Sequence, residues 1–163
     1  MNLITEVYTK MIAYFANDPK RIQHFTKVHS YAKLIGELEE IDDDTMFILE
    51  TAALVHDIGI KKAELECHSS NGKLQEKYGP DEAKFLLMDL NYDAKIIDRV
   101  CYLVGHHHTY NKITGLDYQI LVEADFLVNL YEDGLNDQAT HYAYTKIFQT
   151  KSGKALCTAM FGN

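Results

Sequence analysis

In the stretch "LVHDIGI", Leu54 to Ile60, a histidine and an aspartate stand side by side directly after an apolar run. Burying an ionisable pair is costly unless a counter-charge compensates it, so His56 and Asp57 need a partner elsewhere in the chain. Two other polar residues interrupt apolar helical faces. Asp125, in "LVEADFLVNL", lies four positions after Leu121 and three before Val128, which projects its carboxylate among core residues. His24, in "RIQHFTKVHSYA", has Val28 and Tyr31 at helical spacing and belongs to the edge of an inward stripe. His24, His56, Asp57 and Asp125 thus come from three predicted helices, the arrangement by which bundle cores build metal sites. Two imidazoles and two carboxylates suit Mn, Fe, Co, Ni or Zn better than Mg or Ca.

The elements that must position these groups are helices throughout. Apolar positions recur with helical period, for example Phe25, Val28, Ala32 and Ile35, then Ile120, Leu121, Ala124, Leu127, Val128 and Tyr131. The expected helices run Leu3 to Phe15, Pro19 to Glu40, Thr45 to His56, Pro80 to Asn91, Ala94 to His106, Tyr118 to Asp133, Gln138 to Thr150 and Ser152 to Phe161. Pro19 and Pro80 are read at first helical positions, where a missing N–H costs nothing. Asp44, Asp93, Asp117 and Asp137 are read as N-caps, and Gly59 and Gly134 as C-terminal signals. The polar, glycine-containing segment from Ile60 to Gly79 reads as one long functional loop. No alternating strand pattern occurs, so the fold class is all-α.

Size and charge narrow the function. A chain of 163 residues is expected to form a single domain, 1–163. Its motif-bearing core spans about 21–130, with C-terminal helices over 137–161 packing on that core or at a homodimer surface. A formal charge of −8 disfavours a nucleic-acid polymer as partner. No apolar run is long enough to span a membrane, and the N-terminal sequence lacks a secretory pattern, so the expected location is the cytoplasm. Cys67, Cys101 and Cys157 lack thiolate-metal spacing and read as reduced and structural.

His24, then His56-Asp57 in "LVHDIG", then Asp125 in "EADFL" resemble the H…HD…D pattern of the HD-domain superfamily of metal-dependent phosphohydrolases. The resemblance runs from about Arg21 to Leu130 and includes "GPDEAKFLL" downstream of the doublet. It implies an HD-type helical bundle and a divalent ion held by His24, His56, Asp57 and Asp125. The activity implied is hydrolysis of a small phosphate ester, a phosphorylated metabolite or nucleotide, by metal-activated water. In that scheme one of the two carboxylates, Asp57 or Asp125, orients or deprotonates the water, with Asp57 the catalytic candidate, while Lys61 and His106 or His107 neutralise charge on the phosphate oxygens.

"GHHHTY", Gly105 to Tyr110, is similar to a stretch of the HD-GYP phosphodiesterases, relatives that use extra histidines for a second metal. This leaves room for a second ion near His106 and His107. Those relatives carry a histidine four residues before the glycine that is Gly79 here, and this chain has Gln75, a poorer ligand. His68, Glu76 or Glu82 are the nearby substitutes, and His29 is expected at the rim. Two alternatives stand beside the hydrolase: a dinuclear iron HD-type oxygenase, which Gln75 argues against, and a non-catalytic, metal-stabilised HD module.

Overall fold

Each helix begins where a short polar side chain or a glycine releases the backbone. The computed structural model describes residues 1–162. Within them lie α1 (Leu3–Tyr14), α2 (Pro19–Leu38), α3 (Asp43–Val55), α4 (Ile60–Cys67), α5 (Gly72–Asp89), α6 (Ala94–Val104), α7 (Leu116–Glu132), α8 (Asp137–Lys146) and α9 (Lys151–Phe161). Asp18 caps α2 by accepting from the Arg21 N–H, and Pro19 follows at the first helical position as expected. Asp93 caps α6 in the same way. The other three expected caps are displaced. Asp42, not Asp44, caps α3, and Asn136, not Asp137, caps α8. Asp117 lies inside α7, which starts after Gly115 at φ +86°, and pairs with Arg99.

The expected loop from Ile60 to Gly79 is helical. It forms α4 and most of the first half of α5, separated by a short turn at His68, whose φ is +52°. Pro80 consequently sits inside α5 and does not start a helix. The glycines that suggested a loop serve close packing instead. A Cβ on Gly59 would lie 2.5 Å from the Gly79 nitrogen, and one on Gly79 2.5 Å from Val104 Cγ1. Gly59 itself has φ −70° and precedes α4, whereas Gly134, at φ +59°, does follow the end of α7.

α2 packs along α7 and α3, α3 also touches α6, and α5 lies on α6. Phe25, Val28, Ala32 and Ile35 of α2 meet Leu49, Ala52 and Ala53 of α3 and Ile120, Leu121, Ala124 and Leu127 of α7 in one core. The stripe expected on α7 holds except at Tyr131, which is 75% exposed. α8 and α9 close over α7, and no described helix is long and apolar enough to cross a membrane.

Buried Glu123 ties α9 to this frame. Its Oε1 accepts from the Gln149 N–H at 2.9 Å, the Thr150 N–H at 3.0 Å and the Thr150 hydroxyl at 3.2 Å. Burial pushes its carboxyl above the ordinary range, working against those bonds. Glu123→Ala strands three donors and opens a cavity, so it is expected to destabilise the fold by about 3 kcal/mol, read as a lower urea midpoint at constant slope.

Candidate metal centre

α3 unwinds at its C-terminus, and the chain turns through residues 56–59 before α4 begins. That turn carries His56 and Asp57 to the seam between α2 and α7, which present His24 and Asp125. His24 Nε2 lies 3.1 Å from His56 Nε2, 3.3 Å from Asp57 Oδ2 and 3.3 Å from Asp125 Oδ1. His56 Nε2 lies 3.4 Å and 3.5 Å from the same two carboxylate oxygens. His56 is wholly buried and Asp125 nearly so.

The outer atoms of the rings decide what the inner atoms can do. His56 Nδ1 lies 2.7 Å from the Ala53 carbonyl oxygen, which only accepts, so Nδ1 carries the proton. His24 Nδ1 lies 3.1 Å from Glu132 Oε2, a carboxylate oxygen, and donates likewise. Both Nε2 atoms are then lone pairs in the neutral rings. Four acceptor atoms therefore face one another and require a cation among them. Ligands on a tetrahedral ion with bonds of about 2.1 Å stand roughly 3.4 Å apart, which the observed separations match. The residues fit a divalent ion.

Electrostatics give the same answer for the ion-free cluster. Burial works against charge on both rings, but Asp57 and Asp125 outweigh it and push His24 up to about 11 and His56 up to about 9. Burial also opposes charge on the carboxylates. The histidines beside them prevail and hold Asp57 and Asp125 well below the usual range. A proton takes the cation's place.

A second group surrounds the other oxygen of Asp57. His107 Nε2 lies 2.9 Å and His108 Nε2 3.7 Å from Asp57 Oδ1. His107 is 1% exposed and its Nδ1 donates to the Val104 carbonyl at 2.9 Å; burial pushes its pKa down. The Tyr118 hydroxyl fixes this turn by donating to the carbonyls of His106 and Thr109, and Glu76 accepts from the His108 N–H at 3.0 Å.

The structure brings His24, His56, Asp57, Asp125 and His107 together. It does not bring His106 or Lys61. His106 turns away, stacked on Tyr102 with its Nδ1 donating to the Tyr102 carbonyl at 2.7 Å. The Lys61 ammonium donates to the Tyr14 carbonyl at 3.0 Å and lies over the Tyr14 ring, because α4 points this face at α1. His68 is exposed at the end of α4, Glu76 serves the 108–109 turn, and Glu82 accepts from the Tyr14 hydroxyl. His29 pairs with Glu50 at 2.9 Å, apart from the cluster.

A cavity of about 540 Å³ opens above the cluster. His24 and Asp57 reach its wall; Lys20, Arg21, Gln75, His108, Asn129 and Glu132 complete much of the rest. The sequence alone does not mark His108, Asn129, Glu132 or Lys20 as site residues. Asn129 and Glu132 stand four and seven positions after Asp125 on α7, a spacing that would have placed them on its face. Asn129 donates to Asp125 Oδ1 at 2.9 Å, and Glu132 orients His24. Removing such an outer partner typically lowers metal affinity 10- to 100-fold, so Glu132→Ala is expected to weaken manganese binding by about that factor in titration calorimetry.

A helical bundle with a buried two-histidine, two-aspartate cluster has the architecture by which bundle cores can hold a metal ion. Its particular fold is shared with a crystal structure of a predicted HD superfamily hydrolase from an uncultured Thermotogales bacterium. The two chains are 24% identical with a TM-score of 0.69, and the alignment covers 95% of this chain and 83% of that one. No protein-family model and no curated protein matches the sequence. The fold of the chain is thus the HD-type bundle that the sequence motif implied.

Proposed function

We propose that the protein is an HD-type, metal-dependent hydrolase of small phosphate esters. The convergence of four acceptor atoms on one point at the floor of a cavity carries this reading. A divalent ion held there supplies the charge that polarises a phosphoryl oxygen and lowers the pKa of water from about 15.7 toward neutrality. His56 and Asp125 stand behind the cavity wall, whereas Asp57 is on it. Asp57 is therefore the group that orients the attacking water and receives its proton. The water oxygen bonds to phosphorus, the ester P–O bond breaks, and the alcohol departs with the proton that Asp57 received. Lys20, on the first turn of α2, meets the charge on the phosphate oxygens in place of Lys61, while Arg21 beside it is held by Asp18 and Glu64. His108 takes the cavity-facing position expected of His106 or His107.

Phosphate release from a panel of monoesters, with p-nitrophenyl phosphate as the generic member and Mn, Co, Ni or Mg added in turn, tests the reading. Release that depends on an added ion and stops with chelator is the expected result. Silence across the panel with every metal would discard the hydrolase and leave the metal-stabilised module.

A second reading has its own observation, the approach of Asp57, His107 and His108 ligand atoms to within 4.8 Å. A second ion there would make the centre dinuclear, as the oxygenase requires. Against it, Gln75 Nε2 donates to the Ser70 carbonyl at 2.6 Å, which turns Gln75 Oε1 toward His108 Nε2 at 3.1 Å. That acceptor holds His108 Nε2 as a donor and not as a ligand. Two irons per chain with a mixed-valence spectrum would favour the oxygenase; one ion per chain favours the hydrolase.

A further inference from the structure

Resting on the phosphate-ester reading, we infer that the cavity selects a hydroxyl-rich monoester, a sugar phosphate, over a nucleotide. A nucleobase is held mainly by stacking on a flat apolar or aromatic face. Among the described residues, Phe25 and Ile60 supply the apolar side chains of the wall, and Phe25 is 1% exposed, so it offers no open face. His108 packs against His107 on one side and Gly72 on the other.

What the wall does offer is polar and unspent. Lys20, on the first turn of α2, and Asp133, at the end of α7, form no ion pair among the described residues and are both exposed. Asn129 spends its amide N–H on Asp125 and keeps its Oδ1 as an acceptor. Ser70 adds a hydroxyl. The free groups are thus one cation, suited to the phosphate end, two acceptors, a carboxylate and an amide oxygen, and the Ser70 hydroxyl. Acceptors on that side repel a second phosphate and bind donors, and sugar hydroxyls are donors on a carbon frame that needs no stacking surface. A site built to hydrogen-bond hydroxyl groups discriminates strongly against analogues lacking them.

Ribose 5-phosphate and AMP differ by a base in place of the anomeric hydroxyl, which makes them a matched pair. With manganese-loaded protein, kcat/KM for ribose 5-phosphate is expected to exceed that for AMP by at least about tenfold. In Asp133→Ala the ratio of kcat/KM for ribose 5-phosphate to that for p-nitrophenyl phosphate falls about tenfold, the effect of one lost hydrogen bond to a charged acceptor. AMP turned over as well as ribose 5-phosphate, phosphoethanolamine preferred to both, or an unchanged ratio in Asp133→Ala would each overturn the inference while leaving the hydrolase standing. Failure to cleave even p-nitrophenyl phosphate would remove the hydrolase itself.

Discussion

Asp57→Ala is expected to lower metal-dependent ester hydrolysis by about 10³-fold or more, the equivalent of roughly 4 kcal/mol of transition-state stabilisation. Three roles end together. Asp57 Oδ2 is one of the four atoms that converge on the ion position, so its loss leaves His24 and His56 facing Asp125 alone. Its Oδ1 lies 2.9 Å from His107 Nε2, so a buried ring loses the carboxylate it faces. Asp57 is also the carboxylate of the four that reaches the cavity, where the attacking water must be oriented. Asp125→Ala removes only the first of these roles and is expected to act chiefly through metal affinity, so that a large excess of manganese restores part of its rate. Asp57→Ala is not restored in this way. Parallel steady-state rates against manganese concentration separate the two, and an Asp57→Ala protein that regains full turnover at high manganese would show that Asp57 is a ligand and nothing more.

How much of this was legible beforehand follows from what each residue's signal depended on. His24 and Asp125 break apolar stripes whose period fixes their direction, His56 follows directly on an apolar run, and the structure brings all three together. The Ile60–Gly79 segment misled because its glycines look like loop residues. Their purpose, the close approach of Gly59 to the Gly79 backbone and of Gly79 to the Val104 side chain, exists only once α4, α5 and α6 are packed. The run His106 to His108 lies beyond the end of α6, where helical spacing no longer sets direction. Which ring points inward is decided by Tyr118, Glu76 and Gln75, distant in sequence, and the result is His107 and His108 and not His106. Lys61 was read from its nearness to the doublet along the chain, yet one turn of α4 aims it at Tyr14.

Stripping the ion is expected to lower the melting temperature by about 10 °C at neutral pH, and the gap is expected to widen as pH rises. An ion present at a thousandfold excess over its dissociation constant adds about 4 kcal/mol, and each kcal/mol moves the midpoint of a chain this size by about 2–4 °C. The pH dependence comes from the protons that replace the ion. In the stripped protein His24 and His56 are pushed up from 6.5 to about 11 and about 9. Groups raised in the folded state stabilise it fully below their unfolded pKa, and that contribution drains away as pH climbs through the folded values. Asp57 and Asp125 are depressed from 3.8, so their contribution is present above that value and fades as pH falls below it. The stripped protein is therefore most stable between about pH 4 and 6.5 and weakens toward pH 9 and beyond. The loaded protein needs no proton at the cluster and keeps its midpoint over the same interval, since deprotonated imidazoles and carboxylates are the ligand forms. Scanning calorimetry at pH 6 and pH 9, with manganese or with chelator, measures both gaps. Equal gaps at the two pH values would mean that protons do not stand in for the ion, and that the four facing acceptors are reconciled in some other way.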